Sequence, residues 1–141
     1  MSAEQGAGSG EQGANKEGQK MSEAMFRFEN MQIWERAAGS SGPLFRLAEK
    51  LDERRYFRFA EQLRSATLSI TNNIAEGSGS VSDAEFASFL NIARRSVFEV
   101  ANMLIIFARE GYLQSSEIAP MLGELAEQSR MIYSFRQTLK S

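Results

Sequence analysis

The chain has 141 residues, 43% hydrophobic and 24% charged, with a formal net charge of −2. That is the size of one domain, long enough to bury a core without covalent staples. It contains neither cysteine nor histidine, which excludes disulfides, thiolate zinc sites, Ser-His triads and Glu-x-x-His di-iron helices. Chemistry is left to Lys, Arg, Asp, Glu, Ser, Thr and Tyr. No catalytic, cofactor-binding or metal-binding residue and no small-molecule substrate is therefore expected, and the chain is read as non-enzymatic. The missing cysteines suit a cytoplasmic protein.

Residues 1–25 hold four glutamates against Lys16 and Lys20, whereas residues 26–141 carry fourteen acidic and fourteen basic groups. A balanced domain exerts no bulk attraction on nucleic acid, so any such binding needs local patches. Ser2–Lys20 has no apolar residue larger than alanine. It cannot offset its ordering entropy by burial, so residues 1–25 are expected to be a disordered tail. The stretch lacks the apolar centre of a secretory signal, and Met21 is a candidate native start.

From Phe26 the sequence takes on helical periodicity, interrupted only by Pro43 and Pro120. Apolar residues recur at steps of three and four, which predicts four helices and an all-α, antiparallel up-down-up-down bundle over residues 26–141. Helix 1, from Phe28 to Leu51, shows Met31, Trp34, Ala38, Leu44, Leu47 and Leu51 around a local break at Gly39–Pro43. Its neighbours are about 36 Å long, and matching that length requires a continuous, kinked helix through the break. Helix 2, from Glu53 to Glu76, carries the seam Tyr56, Ala60, Leu63, Thr67, Ile70, Ile74 and Gly77, with Gly77 as C-terminal cap. Helix 3, from Asp83 to Glu110, opens on a Ser82/Glu85 capping box and closes at Gly111. Its seam is Phe86, Leu90, Ala93, Val97, Val100, Leu104 and Phe107. Helix 4, from Ser116 to Leu139, is capped by Ser115 or Ser116, with Pro120 near its first turn.

Helix 3 has more apolar surface than a bundle needs. Val97–Ala108 reads VFEVANMLIIFA, with ten of twelve positions apolar. A bundle helix requires about three or four per seven. Phe98 and Ile105 lie off the seam on one flank, Met103 and Ile106 on the other. The run is too short and too interrupted by Glu99 and Asn102 to span a bilayer, so no membrane association is expected. These four residues are candidates for an oligomer interface, and a wide contact inside one bundle is the alternative.

Leu63–Gly79, LRSATLSITNNIAEGSG, resembles the signature of the 23S rRNA intervening-sequence protein family, also called four helix bundle protein. That pattern runs roughly Leu-Arg-Arg-Ala-x-x-Ser-Ile-Pro-x-Asn-Ile-Ala-Glu-Gly. It is matched here by Leu63, Arg64, Ala66, Ser69, Ile70, Asn73, Ile74, Ala75, Glu76 and Gly77. A second block is similar at Ser82, Glu85, Phe89, Leu90, Ile92, Ala93, Arg94, Ser96 and Glu99, and Trp34 matches in helix 1. The chain departs from the pattern at Ser80, where the family has a basic residue, at Thr71 for proline, and at Arg95 for glycine. The resemblance implies a left-handed bundle assembling as a ring, commonly a homopentamer, with no established enzymatic activity. Family genes often sit inside rRNA genes, and a related retroelement accessory protein binds a reverse transcriptase and nucleic acid.

Two groups of polar residues invite a functional reading. Asn72, Asn73, Glu76, Ser65 and Ser69 form a stripe on helix 2 that either recognises a partner or fixes the helix 2–3 connection by bonding backbone near Ser80–Asp83. Arg54, Arg58, Arg64, Arg94 and Arg95 are candidate nucleic-acid contacts, since guanidinium groups bind phosphate in bidentate fashion. The alternatives are a solvated face neutralised by Glu53, Glu61 and Glu99, or salt bridges between subunits. Two functions stay open: an oligomeric scaffold or adaptor binding protein, and a nucleic-acid-binding accessory using an arginine surface.

Overall fold

The structure, a computed structural model, describes residues 23–139. The expected tail lies outside the described residues except for its last three. A 3-10 turn at Arg27–Asn30 leads into α1 (Gln32–Glu53), α2 (Phe57–Ser78), α3 (Asp83–Arg109) and α4 (Ser115–Gln137), with no strand among the described residues. Each helix packs on the next, and α4 returns to α1 over the least extensive of the four interfaces. The result is the four-helix bundle that the periodicity predicts.

The seams of α2 and α3 are buried as their spacing requires. Ala60, Leu63, Thr67, Ile70, Ile74 and Gly77 on α2 face Phe86, Leu90, Ala93, Val97, Val100, Leu104 and Phe107 on α3. Helix α1 differs. Its first half buries Ile33, Ala37 and Ser40, in step with Leu44, Leu47 and Leu51, while Met31, Trp34 and Ala38 are only half-buried. The seam passes through a serine, which a search for apolar residues overlooks. Because that spacing continues through Gly39–Pro43, the helix is continuous across Pro43. The Ser40 hydroxyl donates to Ala37 O (2.9 Å) and accepts from Gln128 Nε2 (2.8 Å), so its burial leaves no unmet bond.

Gly77 is not the cap of α2, which runs on to Ser78 with Gly79 beyond it. A Cβ at Gly77 would lie 2.8 Å from both Phe86 Cδ1 and Phe89 Cβ. Its lack of a side chain is what lets α2 and α3 approach closely beside their connection. Similarly, Gln114 rather than Ser115 or Ser116 precedes α4, its backbone N–H donating to Glu117 Oε1 (2.9 Å). Pro120 lies inside the helix, which continues past it. Ser82 caps α3 as expected, accepting from the Glu85 N–H at 3.1 Å.

The two corners at the far end share one geometry. After α3, Tyr112 N donates to Phe107 O (2.8 Å) and Gly111 N to Ala108 O (3.1 Å), with Gly111 at φ +79. After α1, Tyr56 N donates to Leu51 O (2.9 Å) and Arg55 N to Asp52 O (2.8 Å), with Arg55 at φ +69. Glycine occupies the left-handed position at one corner and arginine at the other. Tyr56 and Tyr112 then stack at 4.1 Å, and Arg54 Nη1 donates to the carbonyls of Gly111 (2.7 Å) and Tyr112 (3.0 Å), which locks the corners together.

Three substitutions test this packing by chemical denaturation. Leu90→Ala removes a fully buried side chain and is expected to cost ~2–5 kcal/mol. Gly77→Ala forces α2 from α3 and should cost ~1–3 kcal/mol. Arg55→Gly relieves the left-handed strain and should stabilise by ~0.5–1 kcal/mol. A loss from Arg55→Gly would contradict the corner geometry.

Candidate functional site

The polar residues of the α2–α3 face divide into two kinds. Asn73 Nδ2 donates to Ser69 O (2.8 Å) and Ser69 Oγ (3.1 Å), and Ser69 Oγ lies 2.8 Å from the buried Ser96 Oγ. This chain ties α2 to α3 in mid-helix. It corrects the expectation that Asn73 fastens the Ser80–Asp83 connection, which lies two turns away along the helix axis. The connection is instead held by backbone bonds such as Ser80 N to Gly77 O (2.9 Å) and by the Ser82 cap. Glu76, Glu99, Asn72 and Ser65 are exposed.

The five candidate arginines do not form one surface. Arg54 follows the end of α1 and spends its donors on the α3–α4 corner. Arg64 turns toward α1, where it pairs with Asp52, and it also pairs with Glu61 of its own helix at 3.2 Å. Those partners hold its guanidinium above its ordinary pKa, the Asp52 hydrogen bond contributing most. The antiparallel register that would set Arg64 beside Arg95 is overridden by its direction around the helix. Arg94 points the other way, toward α4: it donates to Ser129 O (3.3 Å) and lies 5.2 Å from the Phe98 ring centre and 5.3 Å from that of Tyr133. Arg58 and Arg95 are exposed, and neither has an ion-pair partner among the described residues.

The apolar candidates are also sorted by direction. Met103 packs against the core, while Ile106 projects outward between flanks. Phe98 is 57% exposed and Ile105 43%, and with Tyr133 of α4, 49% exposed, they make an apolar face along the α3–α4 side. Arg94 sits between two of these rings as a flat cation, favourable through the ring quadrupoles. Sequence reasoning missed Tyr133 because α4 has a weak stripe. Its spacing of seven from Ala126 and fourteen from Ala119, both exposed, was the available signal.

A cleft of about 520 Å3 opens between the start of α1 and the end of α4, lined by Met31, Ile33, Met131 and Phe135 with Arg130 and Glu127 beside them. These last two pair with each other at 2.8 Å, so the cleft assembles no acid–base pair poised for chemistry. No group of acidic residues that could hold a metal ion occurs among the described residues. None of the described helices is long and apolar enough to cross a membrane.

Ion pairs line the rim of the thin α1–α4 interface. Arg36 grips Glu124 through two bonds, at 2.8 and 3.1 Å. The buried Gln128 donates from Nε2 to Glu124 Oε2 (3.2 Å) as well as to Ser40. Lys50 pairs with Glu117 lower down. The Arg36 hydrogen bond holds Glu124 below the ordinary glutamate pKa, and the Lys50 hydrogen bond does the same for Glu117.

Comparison with known proteins gave one finding. Residues 29–134 match the model of the family described as 23S rRNA-intervening sequence protein. No curated protein and no solved structure matches the chain.

The two carboxylates generate a pH prediction. Their folded-state pKa values lie below the unfolded value of about 4.3, so the folded state binds their protons less tightly. Stability from these pairs is complete above that value and lost as pH falls through the folded values. Urea midpoints measured from pH 6 down to pH 3 should fall, and Glu124→Gln should flatten the slope. An unchanged slope in that variant would show that the α1–α4 ion pair contributes nothing to acid sensitivity.

Proposed function

The chain belongs to the 23S rRNA-intervening sequence protein family, and from that premise we propose that it is a non-enzymatic homo-oligomer, a ring of five copies, acting as a scaffold or adaptor for a protein partner. The observation that carries this reading is the α3–α4 face of Phe98, Ile105 and Tyr133. The bundle core is formed without it, since the core seam of α3 packs on α2 and α4. Phe98 and Ile105 are already about half covered, so burying the rest of each contributes roughly half of the ~1.5–3 kcal/mol of a full burial, and a face of three such side chains favours association. Five is the count that the family resemblance implies.

A second reading, a nucleic-acid-binding accessory, is supported by Arg58 and Arg95, whose guanidinium groups are exposed and without acidic partners among the described residues. The family's name refers to rRNA. Binding to structured RNA that weakens steeply with salt, and that Arg58→Ala with Arg95→Ala abolishes, would favour it over the scaffold.

Assembly is tested by Phe98→Glu and Ile105→Glu. Each should run as a smaller species than the wild type in light scattering while keeping its helical circular dichroism, because neither side chain belongs to the core. Variants that keep the wild-type size would overturn the α3–α4 face as the assembly surface.

A further inference from the structure

The bundle has a second exposed apolar face, and it lies on the side opposite the first. Because each helix packs on its chain neighbours and α4 closes on α1, the α1–α2 side and the α3–α4 side are opposite walls. The contact between Arg64 and Asp52 fixes which flank of α2 turns toward α1. Leu68 stands four residues beyond Arg64 and Phe57 seven before it, so both share that flank. Phe57 is 58% exposed and Leu68 46%. Phe45, seven residues before Asp52 on α1, is half-buried on the matching flank. Neither wall is needed to cover the core.

The two walls carry opposite charge. Around Phe98 and Ile105, the helical positions three, four and seven residues away hold Arg94, Arg95 and Arg109 and no carboxylate. On α4, Arg130 borders Tyr133 but is neutralised by Glu127 at 2.8 Å, so the positive charge of this wall comes from α3. The α1–α2 wall instead holds Glu49, Asp52 and Glu61 against the single guanidinium of Arg64. The side chain of Glu61 is 75% exposed. Heights agree as well. Phe57 opens α2 and Arg109 closes α3 at the same end of the bundle. Leu68 is eleven residues from the first and Phe98 eleven from the second, both roughly 16 Å along the axis.

We propose that the α1–α2 wall, built on Phe57 and Leu68 with Glu49 and Glu61, is the docking site for the α3–α4 wall of a second copy of this chain, aligned in parallel. The inference rests on the self-assembly reading above and supplies its missing half. Two different patches meeting head to tail make a heterologous contact, which repeats from copy to copy and either closes as a ring or continues as a filament. Parallel alignment sets Leu68 level with Phe98 and Glu61 level with Ile105, about one turn from Arg109. A contact of the α3–α4 wall with itself would instead oppose Arg94, Arg95 and Arg109 to their own copies.

Mixing single-wall variants tests the pairing. Phe98→Glu destroys one wall and leaves the other intact, and Leu68→Glu does the reverse. Phe57→Glu, at the end of the bundle, serves as a second α1–α2 variant, and circular dichroism checks that each folds. Alone, each is expected to sediment near the mass of one chain, 15.7 kDa. An equimolar mixture of Phe98→Glu with Leu68→Glu retains one good pair of walls, so it should form a 1:1 dimer of twice that mass and stop there. If Leu68→Glu and Phe57→Glu assemble like the wild type while Phe98→Glu does not, the α3–α4 wall pairs with itself; the inference fails and the self-assembly reading stands. If the wild type is itself monomeric, both fail.

Discussion

A helix in a four-helix bundle can turn only part of its circumference toward a shared core. On α3 that arc is filled from Phe86 to Phe107 by side chains spaced three and four apart, and among the described residues no further helix covers what falls outside it. The remaining arc must be polar or must find cover elsewhere. On the α2 side it is mixed: Ser96 meets Ser69 and Asn73 in a bonded cross-tie and Glu99 lies in solvent, beside a partly exposed Ile92. On the α4 side it is apolar. That asymmetry gives the bundle a directed surface, and the proposals about assembly follow from it.

The interior polar groups show how the bundle keeps four helices in one register. Where α2 meets α3, contact is close enough to require glycine at position 77, and the serine–asparagine tie sits midway along the same interface. Where α4 meets α1, contact is thinner, and Arg36, Glu124, Gln128 and Ser40 form a single line of bonds across the gap. Gln128 Oε1 is buried without a partner, a cost that the two bonds from its Nε2 offset only in part. Polar ties of this kind specify register more than they add stability. The arginines follow the same economy: Arg54, Arg64 and Arg94 each join two elements, which leaves Arg58 and Arg95 to solvent.

Much of the fold was legible because apolar periodicity is a local signal. Leu63, Ile70, Ile74, Leu90, Val97 and Leu104 are all buried at the predicted faces, and both Ser82 and Gly111 end helices as their types suggest. What was not legible depended on partners distant in sequence. The core face of α1 runs through Ser40, whose burial makes sense only when Gln128, eighty-eight residues on, is seen to bond it. Gly77 looked like a cap because glycine often is one, and only Phe86 and Phe89 reveal the close approach. Counting arginines could not tell that Arg64 faces Asp52 rather than α3. The apolar excess of α3 was plain in the sequence, whereas the α1–α2 wall was not, since Phe57 and Leu68 stand among charged and hydroxyl residues that mask them.

On the proposal made above, this bundle is one unit of a larger homo-oligomer, covered on its apolar walls by copies of itself. Sedimentation equilibrium of the wild-type chain, from below one micromolar to tens of micromolar, measures that directly. The expected result is a mass that rises with concentration to a fixed multiple of the 15.7 kDa chain, five on the family resemblance. A mass that stays at one chain across the whole range would contradict it.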